Sequence, residues 1–164
     1  MAAAGAVIPE PVPTGPAPAD RELVITRVFD APRELVFRAW TDPDHLRLWW
    51  GPHGFTVTFL EVDVRPGGLW RKCMRSPDGR DYWRSGAYRE VAPPERLSFT
   101  YYSDDPNSLP GHETLVTLEF ADRGSKTLMT FRQALFESNA ARDAHQGGWT
   151  ESLERLYGYL GRVT

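Results

Sequence analysis

DAPRELVFRAWTDPDHLRLWWGPHGF, residues 30–55, decides the architecture of this chain, because it sets two short helices back to back and crowds aromatic rings around their ends. Each helix starts on a proline. Pro32 and Pro43 suit first helical positions, where the missing N–H costs nothing, and Asp30 and Asp42 stand upstream where a carboxylate can cap backbone donors. In the first helix Leu35, Val36, Ala39 and Trp40 form one stripe, with Arg33, Glu34 and Arg38 off it, so that stripe faces a core. In the second, Leu46, Trp49 and Trp50 close a turn or two before Gly51-Pro52 ends it.

Upstream, residues 22–29 (ELVITRVF) are rich in β-branched side chains and alternate, with Leu23 and Ile25 on one face and Val24, Thr26 and Val28 on the other, as a strand does. Downstream, residues 55–64 alternate, and Pro66-Gly67-Gly68 turns the chain into a second strand over residues 69–75. The turn at Ser76 to Gly79 and the Pro93-Pro94 break delimit strands over 80–91 and 95–102. A longer loop at 103–111 precedes strands over 112–120 and 126–136, joined by Asp122-Arg123-Gly124-Ser125. Short connections of this kind make an antiparallel meander. The period then changes. From 139 to 162 the residues His145, Trp149, Leu153, Leu156 and Leu160 recur at spacings of three and four, which predicts one long amphipathic helix lying on the sheet. The expected order is β, α, α, six further strands, then α, an α+β fold with a curved antiparallel sheet, two short helices and a long C-terminal helix. Gly147-Gly148 inside the long helix costs about 1 kcal/mol per glycine relative to alanine, which implies a close neighbour, a ligand or a bend there.

The chain has 164 residues, enough for one domain that buries a real core. Residues 1–20 hold five prolines and no periodic apolar face, so a disordered tail is expected at 1–20 and the folded domain at 21–164. A net charge of −3, with basic residues interleaved among acids, gives no electrostatic case for nucleic acid or an anionic membrane. No secretory signal, membrane-spanning run or glycosylation sequon occurs, and the single Cys73 excludes an internal disulfide, so the expected home is the cytoplasm.

Several motifs stand in order: FDAPRELVFRAWTDP at 29–43, WWGP at 49–52, GGLWR at 67–71, PPERL at 93–97 and GWTESLERL at 148–156. In these the chain resembles the bacterial proteins related to the C-terminal domain of the activator of Hsp90 ATPase, within the START-like, helix-grip (SRPBCC, Bet v 1-like) superfamily. The resemblance implies an apolar cavity between the long helix and the sheet, and a setting in the stress response. Superfamily relatives bind lipids, polyketides or hormones, cyclise polyketides, or sequester an antibiotic, so no single activity follows from the fold.

The residues support a cavity independently. Six Trp, six Tyr and eight Phe exceed what packing a body of this size ordinarily takes, and small-molecule clefts are lined by aromatic groups with a few polar ones. Strand parity puts Trp70, Lys72 and Met74 on one face; Tyr82, Arg84, Gly86 and Tyr88 on another; then Leu97, Phe99 and Tyr101; and Met129, Phe131, Gln133 and Leu135. Trp149 and Leu153 would close the cavity from the helix side and Trp49 or Trp50 would guard an opening, so the expected lining is Trp49, Trp70, Lys72, Met74, Arg84, Tyr88, Phe99, Tyr101, Phe131, Gln133, His145, Trp149 and Leu153. Each aromatic among them also reads as ordinary core. Lys72 and Arg84 either face outward or line the cavity, because a buried unpaired charge is expensive. Glu61 and Asp63 pose the same choice, with cross-strand ion pairs as the structural answer.

Catalytic signatures are missing: no GxSxG, GxGxxG, P-loop or CxxC occurs, and His112-Glu113 lacks the second histidine of HExxH because position 116 is Val116. No catalytic residue, metal ligand or cofactor is assigned. Of the candidates for acid–base work, His45, His53 and His145, the last, on the inner stripe, is the best placed. Cys73 reads as an inert small hydrophobe. The favoured function is binding of a hydrophobic or aromatic small molecule, as carrier, sequestering agent or sensor. A polyketide cyclase- or hydrolase-like enzyme, with His145, Lys72 or Arg84 polarising a carbonyl, is the alternative. An Hsp90-type co-chaperone comes third, since the separate N-terminal domain of the eukaryotic activator is not expected here. A homodimer is left open.

Overall fold

A computed structural model describes residues 21–164, so the tail expected at 1–20 lies outside the described residues. β1 (Leu23–Phe29) leads into α1 (Arg33–Thr41) and α2 (Pro43–Leu46). A meander follows: β2 (Thr56–Val62), β3 (Leu69–Arg75), β4 (Asp81–Ala92), β5 (Arg96–Ser103), β6 (Thr114–Arg123) and β7 (Lys126–Ala134), and α3 (Asn139–Val163) ends the chain. The seven strands form one antiparallel sheet in the order β1-β7-β6-β5-β4-β3-β2. The N-terminal strand therefore closes the far end of the meander, with Ile25 opposite Phe131. This is the α+β helix-grip architecture expected from the sequence. No helix among the described residues is long and apolar enough to cross a membrane.

The helix starts divide. Asp42 caps α2 as expected, its carboxylate accepting from Asp44 N at 2.9 Å with Pro43 in the first turn. At α1 Pro32 itself is the N-cap and no side chain caps the helix, so Asp30 does not play that part. The buried stripe of α1 is Val36, Phe37, Ala39 and Trp40, with Leu35 only half-buried. Phe37 replaces Leu35 because α1 rolls toward β6, where its ring meets Phe120 edge-on at 5.7 Å. Ser138 caps α3, accepting from Ala141 N at 3.1 Å.

The core lies between the sheet and the helices. Trp40 sits edge-on to Trp49 at 4.6 Å, Trp149 lies 4.6 Å from Phe131, and Trp50 lies 4.9 Å from Trp70. Leu153, Leu156 and Leu160 complete the helix stripe. Gly86 lets β4 and β5 meet closely: a Cβ there would fall 1.8 Å from Thr100 O and 2.5 Å from Trp70 Nε1. The Trp70 indole N–H uses that approach to donate to Thr100 O at 3.1 Å.

Three expectations are corrected. Leu135 is exposed and has left the sheet, because β7 ends at Ala134 and the backbone turns through φ 71 at Leu135. Asp63 pairs with Arg65 two residues on, at 2.8 Å, and makes no cross-strand pair. Gly147 has nothing within 4 Å of a built Cβ, and Gly148 meets only Pro52 at 3.7 Å, so no strand presses on the α3 backbone there.

Candidate functional site

A cavity of about 300 Å³ opens at one end of the helix–sheet interface. Its floor is Lys72 and Met74 of β3, Tyr82 and Arg84 of β4, and Tyr101 of β5; its roof is Ala144, His145, Gly148, Trp149 and Ser152 of α3. The turn after α2 supplies the third wall through Trp50, Gly51, Pro52 and Phe55. Pro52, Phe55, Tyr82, Arg84, His145 and Gly148 are half-buried, so the rim reaches solvent. Ala144, Gly148 and Ser152 recur every fourth residue, and this row of small side chains on one helix face leaves the void.

The turn that forms the third wall is bound to α3 chiefly through its backbone. Ser152 Oγ accepts from Gly51 N at 3.0 Å and donates to Trp49 O at 3.2 Å. Arg155 Nη1 donates to the carbonyls of Gly51, Pro52 and Phe55 at 3.0, 3.0 and 3.2 Å, and its Nη2 to Leu48 O at 3.2 Å. Gly51 adopts φ +149, and a Cβ there would meet Met74 Sδ at 3.3 Å, which explains the glycine of WWGP. The two tryptophans divide. Trp49 is fully buried and donates from Nε1 to Ala39 O at 3.0 Å, while Trp50 lines the cavity.

Lys72 is the unusual member of the floor. It is 1% exposed, stands opposite Arg84 in the strand register, and holds its Nζ 3.7 Å from the centre of the Trp50 ring and 5.6 Å from that of Tyr101. Burial, and after it the positive charges of Arg84 and Arg155, hold its pKa well below the ordinary lysine value. Burial also raises the Tyr101 phenol, against the pull of Arg84. His145 contacts the rings of Tyr101 and Phe136, and its Nδ1 lies 2.9 Å from Ala141 O. A carbonyl only accepts, so that nitrogen carries the proton; burial depresses the His145 pKa, which favours the neutral ring.

Of the lining expected from sequence, Lys72, Met74, Arg84, Tyr101, His145 and Trp149 meet at this cavity. Trp49, Trp70, Tyr88, Phe99, Phe131, Gln133 and Leu153 do not line it and are packed in the core. Parity sorts the faces of the strand residues among these but does not fix position along a strand, and the void lies at one end only. Gln133 acts from behind the wall. Its Oε1 accepts from Trp149 Nε1 at 2.8 Å, its Nε2 donates to Thr114 Oγ1 at 2.9 Å, and Thr114 Oγ1 donates to Tyr101 O at 2.8 Å, which orients the Trp149 ring. Trp50, Gly51, Pro52, Phe55, Tyr82, Ala144, Gly148 and Ser152 also line the cavity and stand outside the expected lining; the sequence signal for Tyr82 is its shared face with Arg84, and that for Ser152 its spacing of three from Trp149.

His45 and His53 lie elsewhere: His45 Nδ1 bonds the Tyr159 hydroxyl, and His53 Nε2 lies 2.8 Å from Glu154 at the surface. Among the described residues no cluster of three or more His, Cys, Asp or Glu is arranged to hold a metal ion. The buried Cys73 is a free thiol on β3, across from Phe59 and Trp83, whose rings lie 5.6 Å apart.

No curated protein matches this chain. Solved structures do. The AHSA1 protein of Silicibacter pomeroyi superposes with a TM-score of 0.81 at 27% identity, over 87% of this chain and 99% of that one. A Nitrosomonas europaea protein superposes with a TM-score of 0.75 at 26% identity, over 88% and 96%. The solution structure of an Arthrobacter aurescens protein gives a TM-score of 0.81 at 25% identity, over 90% of each chain. The sequence profile described as Activator of Hsp90 ATPase homolog 1-like protein matches residues 30–161. With that match spread over the short helices, the sheet and the long helix, and with the same fold in these relatives, the chain belongs to the Activator of Hsp90 ATPase homolog 1-like family.

Proposed function

We propose that this protein binds a hydrophobic or aromatic small molecule between α3 and the sheet and carries, sequesters or senses it without altering it. One observation carries the reading: in a core otherwise filled with rings, five aromatic side chains (Trp50, Phe55, Tyr82, Tyr101 and Trp149) surround a void of about 300 Å³ with a half-buried rim. That volume is at the lower end of ligand pockets, ~300–1,000 Å³. Core space of this size left empty forfeits dispersion contacts that a flat apolar ligand would supply. The setting that goes with this reading is the cytoplasm.

Catalysis is the less favoured reading because the best-placed proton carrier, His145, is oriented by a carbonyl of its own helix and not by a carboxylate. Native mass spectrometry of protein purified from its own host tests the binding reading: a retained small molecule, released by denaturation, is the expected result. Incubated with wild-type protein, that molecule is returned chemically unchanged. A general acid or base typically supplies ~10²–10⁴-fold in rate. Conversion by wild type that is lost in His145→Gln, with binding kept within about tenfold, would establish the enzyme instead.

A further inference from the structure

The cavity has a charge that the chain as a whole does not. The protein carries 22 acidic against 19 basic residues, yet no Asp or Glu stands in the cavity wall, where Lys72 and Arg84 do and Arg155 adjoins. Elsewhere arginines meet carboxylates: Arg71 with Asp104 at 3.1 Å, Arg75 with Asp81 at 2.8 Å, Arg96 with Glu90 at 3.0 Å. Among the described residues, no carboxylate comes within ion-pair distance of Lys72, Arg84 or Arg155. Arg155 is occupied by four backbone carbonyls. Arg84 spends Nη1 on Trp83 O at 2.9 Å, reaches Ser103 Oγ at 3.5 Å and hydrogen-bonds the Tyr101 phenol, neutral partners all. Lys72 has ring faces around it and no anion.

The neutral polar lining is mixed: Ser152 is spent on the 48–55 turn, His145 keeps Nε2 as an acceptor, and the Tyr82 and Tyr101 phenols can donate or accept. Both ionic side chains in the wall are thus cations, set in a mostly apolar space. Buried donors and cations of this kind are expensive unless something accepts from them. A neutral apolar ligand would dry the site further and leave that imbalance in place. A ligand with an anionic end would correct it, and its apolar body would still fill the space among the rings.

We propose, building on the binding reading above, that the ligand is an organic acid: a carboxylate or chemically similar anion held at Lys72 and Arg84, with an aromatic or alicyclic body against Trp50, Tyr101 and Trp149. Its size is bounded by about 300 Å³, which suits one or two fused rings rather than a long acyl chain.

The test compares isosteric pairs that differ only in charge: 2-naphthoate, cinnamate and 4-biphenylcarboxylate, each against its primary amide, titrated calorimetrically into ligand-stripped protein at pH 7. The acids are expected to bind at least tenfold more tightly than the amides. Lys72→Met and Arg84→Gln, verified as folded by circular dichroism, should each shrink that preference to within about threefold while leaving the amides nearly unaffected. Acid and amide binding equally, or the preference surviving both substitutions, would overturn the anion assignment and leave the apolar-cavity reading standing. Failure of all six compounds to bind at millimolar concentration would remove the cavity reading itself. If Lys72→Met does not fold, the wild-type comparison and Arg84→Gln decide the matter.

Discussion

Replacing Lys72 with methionine should stabilise the empty protein, an unusual result for a residue buried to 1% exposure. The two side chains are similar in length and volume, so no cavity is made, and a thioether suits a position beside Trp50 and Tyr101. What is removed is a polar nitrogen out of water with no carboxylate partner, a burden of about 1–3 kcal/mol by comparison with other buried unsatisfied groups. For a domain of this size, ~1 kcal/mol moves Tm by roughly 2–4 °C, so the variant should melt about 2–12 °C higher at pH 7. The pH dependence follows from the direction of the shift. The folded-state pKa lies below the unfolded value of about 10.4, so between the two the unfolded chain binds the extra proton and wild-type stability rises with pH. The advantage of Lys72→Met should therefore shrink as pH climbs from 7 toward 10 and level off above the unfolded pKa. Thermal melts of ligand-stripped wild type and variant at pH 7, 8.5 and 10 measure this. A variant less stable than wild type at pH 7, or one whose advantage does not change with pH, would refute the reasoning.

Other substitutions probe the frame. Gly86→Ala should lower Tm by more than about 5 °C in the same melts, since its Cβ would collide with Thr100 O and displace Trp70 from its hydrogen bond. Gly147→Ala should raise stability by about 0.5–1 kcal/mol in urea titration with ligand affinity unchanged, because its Cβ enters open space and a helical glycine is replaced. Trp149→Phe keeps a ring at the cavity but leaves Gln133 Oε1 without its donor, and should cost about 1–3 kcal/mol of stability by denaturant titration.

The sequence made the order of elements legible because its punctuation is local: Pro43 behind Asp42, the glycines and prolines between strands, and the change from period two to period 3.6 after Phe136 each act within a few residues. Parity also sorted β3 correctly into Trp70, Lys72 and Met74 on the inner side. It left Lys72 undecided because Cys73 is buried as well, beneath the outer-face pair Phe59 and Trp83, so burial on this strand does not alternate cleanly. The choice between Trp49 and Trp50 was not legible either. Successive residues in a turn point in different directions, and only the packing of α1, with Ala39 O waiting for the Trp49 indole, assigns one to the core and the other to the cavity. Leu135 escapes parity for a related reason, since a single backbone rotation at a strand end cancels the alternation beyond it.

The grip of Arg155 on the 48–55 turn falls almost entirely on carbonyl oxygens, which every residue type possesses. Gly51, whose conformation favours glycine, and Trp50, whose buried ring packs on Trp70, are the wall's fixed members, whereas Phe55 contributes a carbonyl that any residue would supply. Phe55, half-buried and resting on Tyr82 at 5.7 Å, can therefore be exchanged for a residue of another size or polarity without untying the turn from the helix. Scaffold and selectivity are written in separate parts of the molecule here, so descendants of this chain can change what they hold through substitutions at the rim while inheriting the same frame.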